Sequence, residues 1–194
     1  MKLTWRTGAV VLSAVWWVLS AVPVTAQTDG MPEVEVVGYV DLEQFAGEWF
    51  LIAEIPSFFE RRCAGGQKAE YELNDDGSVT VINSCVTRLG FAYTRAGRAF
   101  VADQQSNAKL RVSFVRFFGI WPFRGDYWIM KLGKNYQWAL IGHPTREYGW
   151  VLSRTCDLPD GTLAYIREHL EEQLYDFDDF VMVDQSSNGC PAAE

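Results

Sequence analysis

The amino-acid sequence predicts an all-β domain: an eight-stranded up-and-down antiparallel β-barrel with one C-terminal α-helix and a short final strand. Three observations point there. Between residues 48 and 154, runs of alternating apolar and polar side chains follow one another through short, turn-rich connections, with no helical period between them. Aromatic residues make up 14% of the chain, as expected of a β-rich protein or an apolar pocket. Helical spacing occurs once, after Pro159, and the chain then returns to a strand-like run. A meander of consecutive antiparallel strands has two loose edges, and closing it on itself removes them. Eight strands so closed leave an interior wide enough for one small ligand.

Residues 1–26 read as a secretory signal peptide. Lys2 and Arg6 precede an apolar run from Gly8 to Val22, and the small residues Val24 and Ala26 suit cleavage before Gln27. The run is shorter than the ~20 residues a spanning helix needs. Its removal takes two basic residues and no acidic one, so the net charge of −8 becomes −10, which excludes nucleic acid as a natural partner. No cysteine stands near the cleavage point to carry a lipid anchor. The expectation is an exported protein, periplasmic or secreted, soluble in its compartment. Residues 27–37 then read as a linker, 38–186 as the barrel domain and 187–194 as a tail carrying Cys190.

The barrel opens at Asp41 to Phe50. Gly47 lets the backbone bend into the floor without a Cβ clash, and Trp49 is placed to lie across that floor if its indole N–H finds a partner. The first strand is expected from Glu48 to Ile55, ending at Pro56. The loop from Ser57 to Arg62 shows Phe58 and Phe59 beside charges, either as a lid over the mouth or as pins holding the loop to the rim. Gln67–Leu73 and Ser78–Cys85 form the clearest hairpin, with Gly77 at the left-handed position of a three-residue turn. In that register Ala69, Tyr71, Leu73, Val79, Val81 and Asn83 share a dry face, while Glu70, Glu72, Thr80 and Ile82 face water.

Alternation recurs at Gly97, Ala99 and Val101, and at Leu110, Val112 and Phe114. The segment from Val115 to Gly125 is aromatic but broken by Pro122 and glycines, so it reads as a mouth loop. Tyr127–Leu132, Gln137–Ile141 and Gly149–Arg154 supply three more strands. In the tail, Leu163, Ile166, Leu170 and Leu174 make one apolar stripe, with Arg167, His169, Glu171 and Glu172 on the polar side; Phe180–Val183 is the last strand.

Cys63, Cys85, Cys156 and Cys190 argue for two disulfides in an exported chain. Their spacings of 22, 71 and 34 residues contain no metal-binding pair, and only His143 and His169 could assist, so neither a metal nor a cofactor is expected. Cys63 precedes the hairpin that Cys85 ends, which favours Cys63 with Cys85 and Cys156 with Cys190. Four cysteines allow three pairings, and the other two stay open. Tyr71 is the one inward acid or base, and neither a nucleophile elbow nor a phosphate loop is present.

The chain resembles the lipocalin family, with bacterial lipocalins and apolipoprotein D nearest in appearance. The residues that carry this are Asp41 through Phe50, Phe59-Glu60-Arg61, Asp75-Asp76-Gly77, Val79 to Asn83, Lys109 to Phe114, Gly125-Asp126-Tyr127, and Trp150 to Thr155, in the family's order. The family's third motif, usually Thr-Asp-Tyr after the sixth strand, is not evident in its usual place. The resemblance implies a calyx whose first-strand tryptophan, Trp49, is covered at the closed end by an arginine, Arg154, with Gly47 part of the same structural motif. It implies no catalytic residue and a small hydrophobic ligand, a fatty acid or lysophospholipid, held for transport, storage or scavenging. Tyr71, Val79, Val81, Asn83, Leu110, Val112, Phe114, Trp150 and Leu152 are the expected ligand contacts. In apolipoprotein D the cysteine pattern implies the crossed pairing, Cys63 with Cys190 and Cys85 with Cys156. A peripheral membrane contact and a monomeric or dimeric state are compatible with this reading. The alternatives are a lipocalin-fold enzyme, an isomerase or epoxide-handling activity on an apolar substrate, and an interaction module using the aromatics of residues 117–123.

Overall fold

Alternating side chains become a closed wall in the computed structural model, which describes residues 30–190 apart from 59 and 160. The expected signal peptide and Phe59 lie outside the described residues. A single turn of helix, α1 (Leu42–Phe45), leads into β1 (Gly47–Glu54), and a meander follows: β2 (Cys63–Leu73), β3 (Val79–Thr87), β4 (Ala92–Val101), β5 (Lys109–Ser113), β6 (Gly125–Leu132), β7 (Trp138–Gly142) and β8 (Gly149–Ser153). Helix α2 (Thr162–Glu172) and β9 (Val181–Met182) complete the chain. Every neighbouring pair is antiparallel. β1 closes the barrel by pairing with β8 on one side and β2 on the other, and β9 adds to β1 at Ala53 and Glu54.

The β2–β3 hairpin has the expected register, with Ala69 opposite Asn83, Tyr71 opposite Val81 and Leu73 opposite Val79. The Asn74 N–H donates to Ser78 at 2.8 Å and Gly77 sits at φ +76°, in the left-handed region that glycine adopts without a Cβ penalty. Leu73 shares the dry face but lies beyond its packed part and is exposed.

Two apolar clusters sit on the two sides of the wall. The inner one runs from Val40, Phe45 and Trp49 at the floor through Ala69, Tyr71, Val81, Ile141 and Leu152. The outer one joins Ile52, Ala53, Met130, Leu140 and Val151 to Ile166 and Leu170 of α2. Among the described residues, the strand members of that outer cluster come from β1, β6, β7 and β8.

Two features of the tail and one of the segment before the barrel differ from the sequence reading. The helix ends at Glu172, so Leu174 falls at φ +60° on the surface, and Tyr175 takes the buried place instead, its N–H bonded to Leu170 O at 2.9 Å. His169, expected on the polar side, is buried, with Nδ1 3.3 Å from Glu172. Residues 33–37, read as linker, lie against the barrel: Val34 is buried, the Val37 N–H donates to Ile129 O at 3.0 Å, and the Glu35 N–H donates to Gln173 Oε1 at 2.8 Å.

The floor is closed by one indole and one guanidinium. Trp49 is fully buried and donates its ring N–H to Phe45 O at 2.8 Å. The Arg154 guanidinium lies 3.7 Å from the Trp49 ring and donates to the carbonyls of Gln44, Ala46 and Glu48 at 2.8, 2.8 and 2.7 Å. Gly47, at φ +93°, lets the chain pass: a Cβ there would come within 3.3 Å of Arg154 Nη1. Cys63 is joined to Cys85 and Cys156 to Cys190, the sequential pairing rather than the crossed one.

Candidate functional site

Above the packed floor the barrel holds a cavity of about 580 Å³, within the range of small-molecule sites. Leu51, Val81, Val112, Phe114 and Leu152 make its apolar walls, while Glu60, Gln67, Asn83, Arg95, Arg124 and Asp126 lie among its lining residues. The strands bring these together because β2, β3, β5 and β8 each turn alternate side chains inward.

One wall is an aromatic ladder running from floor to rim. Phe45 meets Tyr71 at 5.2 Å between ring centres, Tyr71 meets Tyr127 at 6.3 Å, Tyr127 stacks on Trp150 at 5.8 Å, and Trp150 stacks on Tyr148 at 6.2 Å. The hydroxyls of Tyr71 and Tyr127 share a hydrogen bond of 2.8 Å. Burial pushes the Tyr71 phenol up to about 12 and holds Tyr127 well above its usual value, so both stay neutral. Tyr71 was the one inward acid or base that the sequence offered. Its phenol is spent on Tyr127 and is not free to abstract a proton near neutral pH.

The polar groups are set close to the mouth. Trp150 donates its ring N–H to Glu60 at 3.3 Å, and Ser57 donates to the other Glu60 oxygen. Arg95 bonds Phe114 O at 3.4 Å and covers the Phe114 ring at 5.3 Å. His143 lines the same region, held below its usual pKa by burial, with Thr145 Oγ1 2.9 Å from Nδ1; the sequence had offered it no partner.

Behind this rim lies a carboxyl that the sequence reading placed on neither face. A one-residue bulge between Leu51 and Ala53 puts Glu54 opposite the cavity-lining Trp150. Glu54 is buried, and desolvation, aided by the nearby charge of Glu60, raises its pKa to about 8. It accepts one bond from Gln67 Nε2 at 3.3 Å, and Glu54 Oε2 and Gln67 Oε1 are both buried without a partner. The protonated acid supplies a donor that the ionised form lacks, so neutrality suits this pair.

Among the described residues no group of three His, Cys, Asp or Glu is placed to hold a metal ion. The arrangement suits a molecule with an oily body for the walls and a polar end for the mouth. Burial of each CH₂ there contributes ~0.8 kcal/mol.

Residues 40–185 match the family model described as a lipocalin-like domain, which covers most of the chain. The chain belongs to the lipocalin family. It is 39% identical over 149 residues to temperature-induced lipocalin-1 of Arabidopsis thaliana, covering 74% of this chain and 78% of that protein. It is 34% identical over 155 residues to the outer membrane lipoprotein Blc of Escherichia coli strain K12, covering 78% of this chain and 83% of that one. Among solved structures, insecticyanin from the tobacco hornworm Manduca sexta superposes with a TM-score of 0.65 at 24% identity, over 84% of this chain and 90% of that chain, which shows the shared fold.

Of the nine ligand contacts expected for this lipocalin, the structure brings Tyr71, Val81, Asn83, Val112, Phe114, Trp150 and Leu152 to the cavity. Val79 and Leu110 are not among the residues lining it. Both face inward but are buried in the floor cluster around Trp49 and Ala108, where side chains fill the barrel. Sequence reasoning missed Tyr127, Tyr148, Glu60 and Gln67. Tyr127 alternates with Ile129, but the outward neighbours Trp128 and Met130 are also apolar because they belong to or pack against the outer cluster, so the inward set did not stand out.

Proposed function

We propose that this lipocalin is an exported carrier of a small hydrophobic ligand, a fatty acid or lysophospholipid, held in the barrel for transport, storage or scavenging. The single observation that carries the reading is the cavity of about 580 Å³, walled by aliphatic and aromatic side chains above a sealed floor. Two disulfides support an oxidising compartment. The relation to an outer membrane lipoprotein supports an envelope location.

Native mass spectrometry of the protein purified from its own host, followed by lipid extraction, tests the reading, with a bound acyl species expected. Trp150 stands in the cavity wall, so titration with lysophospholipid is expected to give a saturable change in tryptophan fluorescence. Asn83→Trp is expected to weaken that binding by ~10-fold or more while shifting stability by less than about 1 kcal/mol, because Asn83 is exposed within the mouth and displaces no packed atom. No co-purifying lipid together with no saturable change would overturn the proposal.

A further inference from the structure

We propose that the open rim of the barrel is a docking surface for an anionic phospholipid bilayer. The rim consists of the connections β1–β2 (residues 55–62), β3–β4 (88–91), β5–β6 (114–124) and β7–β8 (143–148). Its tips carry the most exposed apolar side chains among the described residues: Phe118 at 91%, Phe123 at 86%, Leu89 at 81% and Phe91 at 68%. They stand on two neighbouring connections, β3–β4 and β5–β6, where Phe118 meets Phe117 edge-on at 4.5 Å between ring centres and Ile120 is exposed beside them. Apolar side chains carried on loop tips suit insertion into a fluid interface.

The backbone strains to make this display. Phe117 and Ile120 bond each other's main chain at 2.9 and 3.0 Å, closing a two-residue turn in which Phe118 takes φ +47° and Gly119 φ +83°. Such turns favour Asn-Gly, because a bulky residue with positive φ is disfavoured. Phe123 is likewise held at φ +56°. Both left-handed phenylalanines aim their rings at solvent, so the strain is not repaid by burial within the described fold.

Charge completes the match. The four connections hold six arginines, Arg61, Arg62, Arg88, Arg116, Arg124 and Arg146, against two carboxylates, Glu60 and Glu147, in a chain whose net charge is −8. At the opposite end the β2–β3, β4–β5 and β6–β7 turns hold Asp75, Asp76 and Asp103 against Lys134. An acidic protein with a basic, aromatic-tipped rim is oriented by a negative lipid surface, where guanidinium groups meet phosphates and rings enter the headgroup boundary. Val115, Phe123 and Arg124 also line the cavity, so docking sets its mouth on the bilayer.

The test is co-sedimentation with vesicles of phosphatidylcholine alone and of phosphatidylcholine with phosphatidylglycerol. Binding to the anionic vesicles is expected, falling steeply as salt is raised, with little binding to the neutral ones. Phe118→Asn with Phe123→Asn is expected to cut the partition coefficient ~10-fold or more while keeping the fold, since asparagine tolerates the left-handed region. Arg88→Gln with Arg116→Gln is expected to flatten the salt dependence. A wild-type protein that ignores anionic vesicles overturns the proposal, as does a Phe118/Phe123 variant that binds them equally well. So does a variant whose only change is conversion of a dimer to a monomer, which would name a second copy as the occupant. The cavity-filled Asn83→Trp variant is expected to bind vesicles as the wild type does, so failure of the carrier reading leaves this result standing.

Discussion

The two ends of the barrel use large side chains in opposite ways. At the floor, Trp49 is fully buried, its ring N–H is satisfied by Phe45, and Arg154 covers it while bonding the carbonyls of Gln44, Ala46 and Glu48. At the rim, Phe118 and Phe123 stand in water on left-handed backbone, and Glu54 is buried with one oxygen unpartnered. The floor is where interactions are completed and the rim is where they are left open. The closed end therefore satisfies its polar groups within the fold, whereas the open end leaves large apolar side chains in water.

The sharpest way to break that comparison is at the floor. Trp49→Ala is expected to cost ~3–5 kcal/mol, from lost burial and a cavity that the closed end cannot collapse. Thermal or urea unfolding would measure it, and a loss below about 1 kcal/mol would show that the floor is not the keystone. Arg154→Met, which keeps the apolar stem but removes the guanidinium, is expected to cost roughly 2–4 kcal/mol, because three carbonyls lose their donor and the indole its cation. Urea midpoints with an unchanged m-value would assign that loss to the native state.

At the rim the expected signs reverse. The Glu54 pKa is raised from 4.5 to about 8, so the folded state holds a proton that the unfolded chain releases, and stability falls as pH rises through that window. Glu54→Gln should therefore match the wild type near pH 4.5 and exceed it by ~1–3 kcal/mol at pH 8. A constant difference across the window would show that Glu54 does not titrate as its burial dictates. The smallest effect belongs to Phe118→Asn, expected to be neutral or stabilising by a few tenths of a kcal/mol through relief of the left-handed strain. A loss above ~1 kcal/mol in calorimetry would make Phe118 part of the packed structure and erase the contrast between the poles.

How much was legible in the chain depended on what each strand faces. In β2–β3 one side meets water, so Tyr71, Val81 and Asn83 stood apart from Glu70, Glu72 and Thr80, and even the register could be written down. The outer faces of β6 to β8 and of β1 are covered by α2 and the tail, so Met130, Leu140 and Val151 hid the inward Tyr127 and left Glu54 unplaced. Val79 and Leu110 were read correctly as inward yet lie in the filled floor, because alternation gives a face and not a height. Leu174 fitted the helical stripe, but the helix had already stopped.

By itself, the sequence determined the barrel, its order of strands, the Trp49 floor and the cysteines that needed pairing, since hydrophobic period, turn chemistry and short connections are properties of neighbouring residues. Tertiary structure alone decided where side chains stop filling the barrel and the cavity begins, how the bulge in β1 turns Glu54 toward the wall, and which aromatics are left in water. Those depend on atoms that meet across the barrel from strands far apart in the chain, and no local pattern records that distance.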